Sequence, residues 1–410
     1  MKILYVDLGT TLGGSLLSLE QLLGRLDRAA FQPVALLAAR SPAISRMQAI
    51  GVPVRTVRTF TVAAARSTAV VRLVKQTVGA PRIRDGGILA RFWVLARSIR
   101  DILTRTLPLT WRLYRAIRAV RPDLVHVNDA IFASRAAIAA AWLARIPTIC
   151  HVRSLGEFTV WDHVWASTVR RFIYISEWVA RDQVSQGIPA GRGRVIYNGI
   201  DPAPYATPLD RAAARRALDL PVERPIVAVI GRLVPWKGQD LFLRAMQRVR
   251  ETIPNALGLV IGETEDFSRD FEDVLRTLVT QLGLAETVRF TGYMDQAPTV
   301  LAAIDVLAHT SLSPEPFGRV MIEAMAAGRP VVSPAEGGGR EIVVDGRTGM
   351  LYEPRNADGL AAAVTRLLKN PETARTMGAA GRARVAELFT LDRCAGAVFA
   401  LYRELEEDLA

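Results

Sequence analysis

Residues 1–37 read MKILYVDLGTTLGGSLLSLEQLLGRLDRAAFQPVALL. Ile3 to Asp7 is a short apolar run that ends in a loop with Gly9, Gly13 and Gly14. Leu16, Leu17, Leu19, Leu22, Leu23 and Leu26 follow at helical spacing, and Val34 to Leu37 is again apolar. Strand, glycine loop, helix and strand in that order make a βαβ unit, which implies a parallel sheet. Leu124 to Val127, Thr148 to Val152, Phe172 to Ile175 and Arg194 to Ile196 read as further strands of the same half. Pro202, Pro204 and Pro208 then mark a linker, and the pattern restarts near Arg224. Ile226 to Ile230, Leu257 to Ile261, Val288 to Phe290, Val306 to Ala308 and Pro330 to Ser333 read as strands, with helical periods over Gln239 to Val249 and Arg269 to Leu282. The expected fold class is α/β, with two Rossmann-like, doubly wound domains, 1–205 and 206–390. A C-terminal amphipathic helix, 391–410, is expected to pack back on the first domain.

The totals agree with two domains, since 410 residues exceed one typical domain. Cys150 and Cys394 are far apart and in no metal-like spacing, which argues against a disulfide framework or a zinc site and fits a reducing compartment. The N-terminus lacks the apolar stretch and small-residue cleavage site of a signal peptide, and no run of about 18 uncharged apolar residues occurs. The expectation is a cytoplasmic protein, soluble or peripheral on the inner face of the membrane.

The net charge of +12 is unevenly placed. Between Arg55 and Arg121 stand fifteen Lys and Arg residues and only two acids, Asp85 and Asp101. A localised basic field attracts phosphates, anionic lipid heads or nucleic acid. An insertion over about 61–120 interleaves these arginines with Ile88, Phe92, Trp93, Ile99, Trp111, Tyr114 and Ile117. This reads as helices with one apolar face and a basic rim, suited to the headgroup layer of an anionic membrane surface. A solvated surface is the plainer alternative. No base-reading motif accompanies the stretch, so no nucleic-acid partner is expected.

Two stretches of the second half carry chemistry. Glu315-Pro-Phe-Gly318 is followed by Glu323-Ala-Met-Ala-Ala-Gly328 and Pro330. Pro316 and Gly318 form a tight loop, a helix runs from about Arg319 to Ala327, and Gly328 caps it. Backbone N–H groups at such a helix start bind anions, and carboxylates accept hydrogen bonds from sugar hydroxyls. One Glu in the loop and one in the helix suit the two sugars of a nucleotide sugar. The strand Ile226 to Ile230 runs into Gly231-Arg232-Leu233 and Trp236-Lys237-Gly238. Two cations there can neutralise a diphosphate leaving group.

These motifs resemble family four of the retaining glycosyltransferases, the group 1 glycosyl transferases of the type-B fold, in which two domains face across a cleft. The resemblance covers nearly the whole chain. It implies that Glu315, Phe317 and Gly318 lie by the transferred sugar, that Glu323 holds the ribose, and that Arg232 and Lys237 hold the diphosphate. Gly14, in the Gly13-Gly14 pair, resembles the family's glycine loop, although simple turn chemistry accounts for it equally. Gly231, Gly262-Glu263 and Phe290-Thr291-Gly292-Tyr293 fall where the family holds the donor, the last two beside its base. Gly337-Gly338-Gly339 resembles another loop beside the diphosphate, with Glu341 expected to be structural. Tyr197-Asn-Gly-Ile-Asp201 resembles a turn at the end of the first domain.

One departure concerns the acceptor side. The stretch Asp123-Leu-Val-His126-Val-Asn128-Asp129 has Asn128 where many members carry a histidine. Asn128 can bond a sugar hydroxyl but does not titrate near neutral pH. His126 is expected in the core. Arg153 suits an acceptor carboxylate or phosphate, and a structural ion pair equally. The resemblance implies transfer of a hexose from a nucleoside-diphosphate sugar to a hydroxyl of a glycan or lipid-linked acceptor. Polysaccharide-precursor glycans belong to that class. No cofactor is expected, and no metal, because no Asp-x-Asp cluster follows a strand. A sugar-nucleotide epimerase on the same fold, or a catalytically silent sugar- or lipid-binding protein, remain as alternatives.

Overall fold

The structure is a computed structural model that describes residues 1–11, 13–59, 102–206, 209–265 and 268–409. Most of the basic insertion, including Ile88, Phe92, Trp93, Arg91, Arg97, Ile99 and Arg100, lies outside the described residues. The chain forms two compact units. One is Met1–Ile173 with Gln186–Gly193; the other is Tyr174–Ser185 with Arg194–Ala410.

The first sheet has seven strands in the order β3-β2-β1-β4-β5-β6-β7: β1 Lys2–Asp7, β2 Gln32–Ala38, β3 Val54–Val57, β4 Leu124–Val127, β5 Thr148–Val152, β6 Arg171–Tyr174 and β7 Gly193–Val195. The pairings from β3 through β5 are parallel. All of β4 and β5 is buried, as a parallel strand covered on both faces must be. That requirement explains why their apolar runs were legible. Helix Gly14–Gly24 follows β1 and buries Leu16, Leu19, Leu22 and Leu23.

The second sheet has the order β10-β9-β8-β11-β12-β13: β8 Ile226–Ile230, β9 Leu257–Ile261, β10 Val288–Gly292, β11 Val306–Ala308, β12 Val331–Pro334 and β13 Gly349–Tyr352. Every pairing in it is parallel. Val227, Val229, Val306 and Val332 pack there with Phe242, Met246, Leu275 and Leu367 from the covering helices. Both sheets therefore reverse strand order once, between β1 and β4 and between β8 and β11. In doubly wound sheets such a switch point opens a crevice at the carboxyl ends of the strands, and ligands bind there.

The contacts divide the chain within β6 and β7, whereas the prolines of the linker place the break near 205. Helix Leu391–Leu409 belongs to the second unit, and its Glu404 pairs with Arg194 at 2.9 Å. Among the described residues no helix is long and apolar enough to cross a membrane. One cysteine lies in each unit, Cys150 in the first and Cys394 in the second, and both are buried.

Candidate functional site

In the second unit, the loops leaving β8 and β11 meet at the switch point. After β8 the chain makes a short turn, Pro235–Lys237, and enters the helix Gln239–Thr252 through Gly238. Gly238 has φ +68°, and a Cβ there would lie 2.1 Å from the Thr310 carbonyl oxygen, so only glycine fits. The close approach is tied by Thr310 Oγ1, which donates to the Lys237 carbonyl at 2.8 Å. The Leu312 amide donates to the Trp236 carbonyl at 2.8 Å. Lys237 is thereby set against the segment after β11. Its Nζ donates to Glu315 Oε2 at 2.6 Å.

Ser311 Oγ donates to the same carboxylate oxygen at 3.0 Å, and His309 Nε2 stands 3.7 Å from it. Burial works against the Glu315 carboxylate, but Lys237, His309 and the hydrogen bonds outweigh it and hold its pKa down at about 2. His309 is itself pushed down to about 4 by burial, against the attraction of Glu315. Near neutral pH Glu315 is thus a carboxylate and His309 a neutral imidazole.

Phe317 turns its ring inward, 2 % exposed, against Tyr197 and Phe389, with centroids at 6.1 and 5.8 Å. Gly318 precedes the helix Arg319–Ala326 with φ +102°, a left-handed conformation that glycine tolerates without strain. Within that helix Glu323 lies 3.4 Å from Arg319. The loop Gly337 to Gly339 backs onto Glu315 to Phe317, and the Gly338 amide donates to the Glu315 carbonyl at 2.8 Å. Glu341 accepts from the amides of Glu177 at 2.8 Å and Trp178 at 2.6 Å. It caps the helix Glu177–Ser185, the structural part expected for it. Ser176 Oγ ties the same helix start to the Pro316 carbonyl at 2.6 Å.

Arg232 is half-exposed and pairs with Glu265 at 2.8 Å. Gly231 and Gly262 follow β8 and β9; the Gly231 amide donates to Ile261 and that of Gly262 to Gly292, both at 2.9 Å. Tyr293 is exposed after β10, with its amide 3.4 Å from Glu263 Oε1.

The first unit has its own polar group at the β1–β4 switch point. Asn128 is fully buried; its Nδ2 donates to Asp7 Oδ2 at 2.7 Å and its Oδ1 accepts from Arg153 Nε at 2.6 Å. Arg153 Nη2 lies 3.2 Å from His151 Nδ1. Burial raises the Asp7 pKa, although Asn128 and the Gly9 amide oppose the rise. His126 packs between Tyr5 and His151, with ring centroids at 5.1 and 5.4 Å, and burial pushes it down to about 3. It is a core histidine, as expected. Gly14 opens the first helix and is exposed. Trp111, in helix Leu107–Val120, is 60 % exposed and stacks on Tyr114 at 5.3 Å.

The structure thus brings Lys237 and Glu315 together, and Asn128 and Arg153. It adds partners that motif reading missed: His309, Ser311 and Asp7. Their signal is the polar run His309-Thr310-Ser311 directly after a buried strand, and the single acid ending β1.

Comparison with known proteins gives the same assignment for both halves. The family described as Glycosyltransferase Family 4 matches residues 51–204, and Glycosyl transferases group 1 matches residues 210–384. A glycogen synthase of Mycobacterium tuberculosis is 31 % identical over 305 residues, covering 70 % of this chain and 69 % of the relative. A GDP-mannose-dependent alpha-(1-6)-phosphatidylinositol monomannoside mannosyltransferase of Mycolicibacterium smegmatis is 34 % identical over 192 residues, covering 45 % of this chain and 49 % of that protein. Among solved structures, Anabaena Alr3699/HepE in complex with UDP-glucose superposes with a TM-score of 0.80 at 24 % identity, covering 98 % of this chain and 100 % of that one. Two parallel Rossmann-like sheets, the Glu315 to Glu323 segment after β11 and the family matches together show that the chain belongs to the group 1 glycosyl transferases of glycosyltransferase family 4.

Proposed function

We propose that the protein moves a hexose from a nucleoside-diphosphate sugar to an acceptor hydroxyl with retention of anomeric configuration. The observation that carries this reading is the 2.6 Å contact of Lys237 with an ionised Glu315 at the β8–β11 switch point. An ammonium has three donors, so Lys237 can hold Glu315 and a diphosphate oxygen together. In the reaction the bond from the anomeric carbon to the diphosphate oxygen breaks. The bond to the acceptor oxygen forms on the same face, and the acceptor proton passes to the departing diphosphate. Lys237 and Arg232 stabilise the charge that develops on the leaving group, where preorganised cations act most strongly. Glu315 and the Phe317 and Gly318 amides orient the sugar, Glu323 takes the ribose hydroxyls, and the chain around Gly231, Gly262 and Tyr293 receives the nucleoside. No metal or cofactor takes part; the two cations replace one.

The acceptor is assigned to the first unit, through Asn128 and Arg153. A lipid-linked acceptor is favoured by the phosphatidylinositol mannoside named in several relatives, and by the exposed Trp111 among basic residues of helix Leu107–Val120. On this reading the protein works at the inner face of an anionic membrane.

The test is steady-state transfer with a panel of nucleotide sugars. Lys237→Ala and Arg232→Ala should lower kcat, and Glu323→Ala should raise the donor KM. Each loses a charge-assisted hydrogen bond of roughly 1.5–3 kcal/mol, or about ten- to hundredfold. Activity should persist in EDTA. Wild-type rates in all three variants would remove the site assignment, and loss in EDTA restored by Mg²⁺ or Mn²⁺ would remove the metal-free mechanism.

A further inference from the structure

The second sheet has another end, opposite the Lys237 and Glu315 group. There the residues ahead of β8, β11 and β12 meet the helices Arg211–Ala217 and Pro371–Leu388 around a cavity of about 440 Å³. Its lining includes five arginines, Arg211, Arg215, Arg224, Arg329 and Arg375, against two carboxylates, Asp305 and Glu223.

The fold accounts for part of this charge. Arg224 donates to the carbonyls of Asn255 at 2.9 Å and of Ala256 and Glu286 at 3.1 Å. Arg215, 1 % exposed, donates to the Ala303 carbonyl at 2.8 Å and to Asp305 Oδ2 at 2.7 Å. Asp305 also takes Arg211 at 2.6 Å and the Ile226 amide at 2.7 Å, so its carboxylate already holds three donors. Arg375 pairs on the surface with Glu372 at 2.6 Å.

Arg329 is different. Its Nε is buried and has no hydrogen-bond partner. Burial and the neighbouring Arg211, Arg215 and Arg382 all lower its pKa, while Asp305 alone opposes them. Arg382 adds a second buried Nε without a partner, and its Nη2 lies 3.0 Å from where a Cβ on Gly328 would stand. A buried guanidinium donor left unmet is costly, and Arg329 brings to the cavity wall a charge that Asp305 only partly offsets.

We propose that this cavity is a second anion site that binds a small phosphomonoester, with Arg329 as its principal ligand and Arg375 beside it on the lining, while Arg382, next to Gly328 but outside the lining, adds to the positive field. The planar fork of a guanidinium matches two phosphate oxygens at once. The volume lies in the range of small-molecule pockets and leaves room beyond the phosphate for an organic group. Leu367, Leu368 and Ala374 give that group an apolar wall. The site stands apart from the donor reading and does not depend on it.

Isothermal titration of the full chain with a hexose 6-phosphate, and with inorganic phosphate, at about 0.15 M salt tests this. The hexose phosphate should bind, more tightly than inorganic phosphate. Binding should be unchanged in the donor-site double variant R232A/K237A and weaken about tenfold or more in Arg329→Gln, the loss of one charge-assisted bond. Arg375→Gln, at a lining residue on the surface, should weaken it in the same direction and decides the matter if Arg329→Gln does not fold. No binding to the wild type overturns the proposal. So does binding that is lost in R232A/K237A yet kept in the Arg329 and Arg375 variants.

Discussion

At Glu315 burial and charge pull against each other. Burial disfavours the charged carboxyl; Lys237, the Ser311 hydrogen bond and, once protonated in acid, His309 hold its pKa at about 2. The ordinary value is about 4.3, so this contribution to stability is present above that pH and is lost as pH falls toward 2. His309 acts earlier. Its unfolded imidazole takes a proton near 6.5, the folded one only near 4. Stability is therefore full above about pH 6.5 and declines toward pH 4, by roughly 2–3 kcal/mol for this one residue. His126, depressed to about 3, acts in the same direction. Urea midpoints of the wild type and of His309→Asn at pH 7, 5.5 and 4.5 check this. The variant should lose less stability on acidification, and parallel curves would refute the role given to His309. Glu315 and Lys237 were legible because each sits in a short, recognisable motif. Their contact was not, because 78 residues separate them and only the β8–β11 adjacency joins them.

At the scale of an element, the helix Glu177–Ser185 is held by its first turn. Glu341 accepts two of its amides, and Ser176 fastens its start to the Pro316 carbonyl. A helix start left without acceptors is destabilised. Glu341→Ala should cost about 1–3 kcal/mol, seen as a lower urea midpoint, with the donor KM rising because the Pro316 loop carries Glu315. Glu341→Gln should recover part of the stability. An unchanged midpoint with collapsed turnover would instead make Glu341 a group that touches substrate. Strands β8, β9 and β11 were read with their observed limits, since each is an uninterrupted apolar run buried on both faces. Strands β3 and β13 were missed. Both lie at sheet edges; β3 has two adjacent exposed polar residues, Arg55 and Thr56, between its valines, and β13 opens on Gly349, whose Cβ would meet the Val331 carbonyl at 2.2 Å. Neither offers the signal of a fully buried strand.

For the whole molecule, the repeated α/β pattern was plain in the sequence, because two switch-point sheets require two sets of buried strands. The basic excess between Arg55 and Arg121 bears on where the protein works. Exposed Trp111 and Leu107 on helix Leu107–Val120 stand among Arg112, Arg115 and Arg118. Each cation near an anionic leaflet gains about 1 kcal/mol. Vesicle co-sedimentation should show binding that requires anionic lipid, falls with salt, and drops sharply when Arg115 and Arg118 become Glu and Trp111 becomes Ala. Equal binding to neutral vesicles, or none at low salt, would end that reading. The two cysteines carry a different consequence. One is buried in each unit, and burial raises the Cys150 thiol well above its ordinary range. A thiolate is the species that alkylating reagents attack, so both sites should be silent in the native protein. Each should become reactive only when its own unit opens. Pulse alkylation along a urea series, followed by peptide mass analysis, therefore reports two unfolding curves from one unmodified chain. Curves that coincide mean that the units unfold as one; curves that separate show which unit yields first.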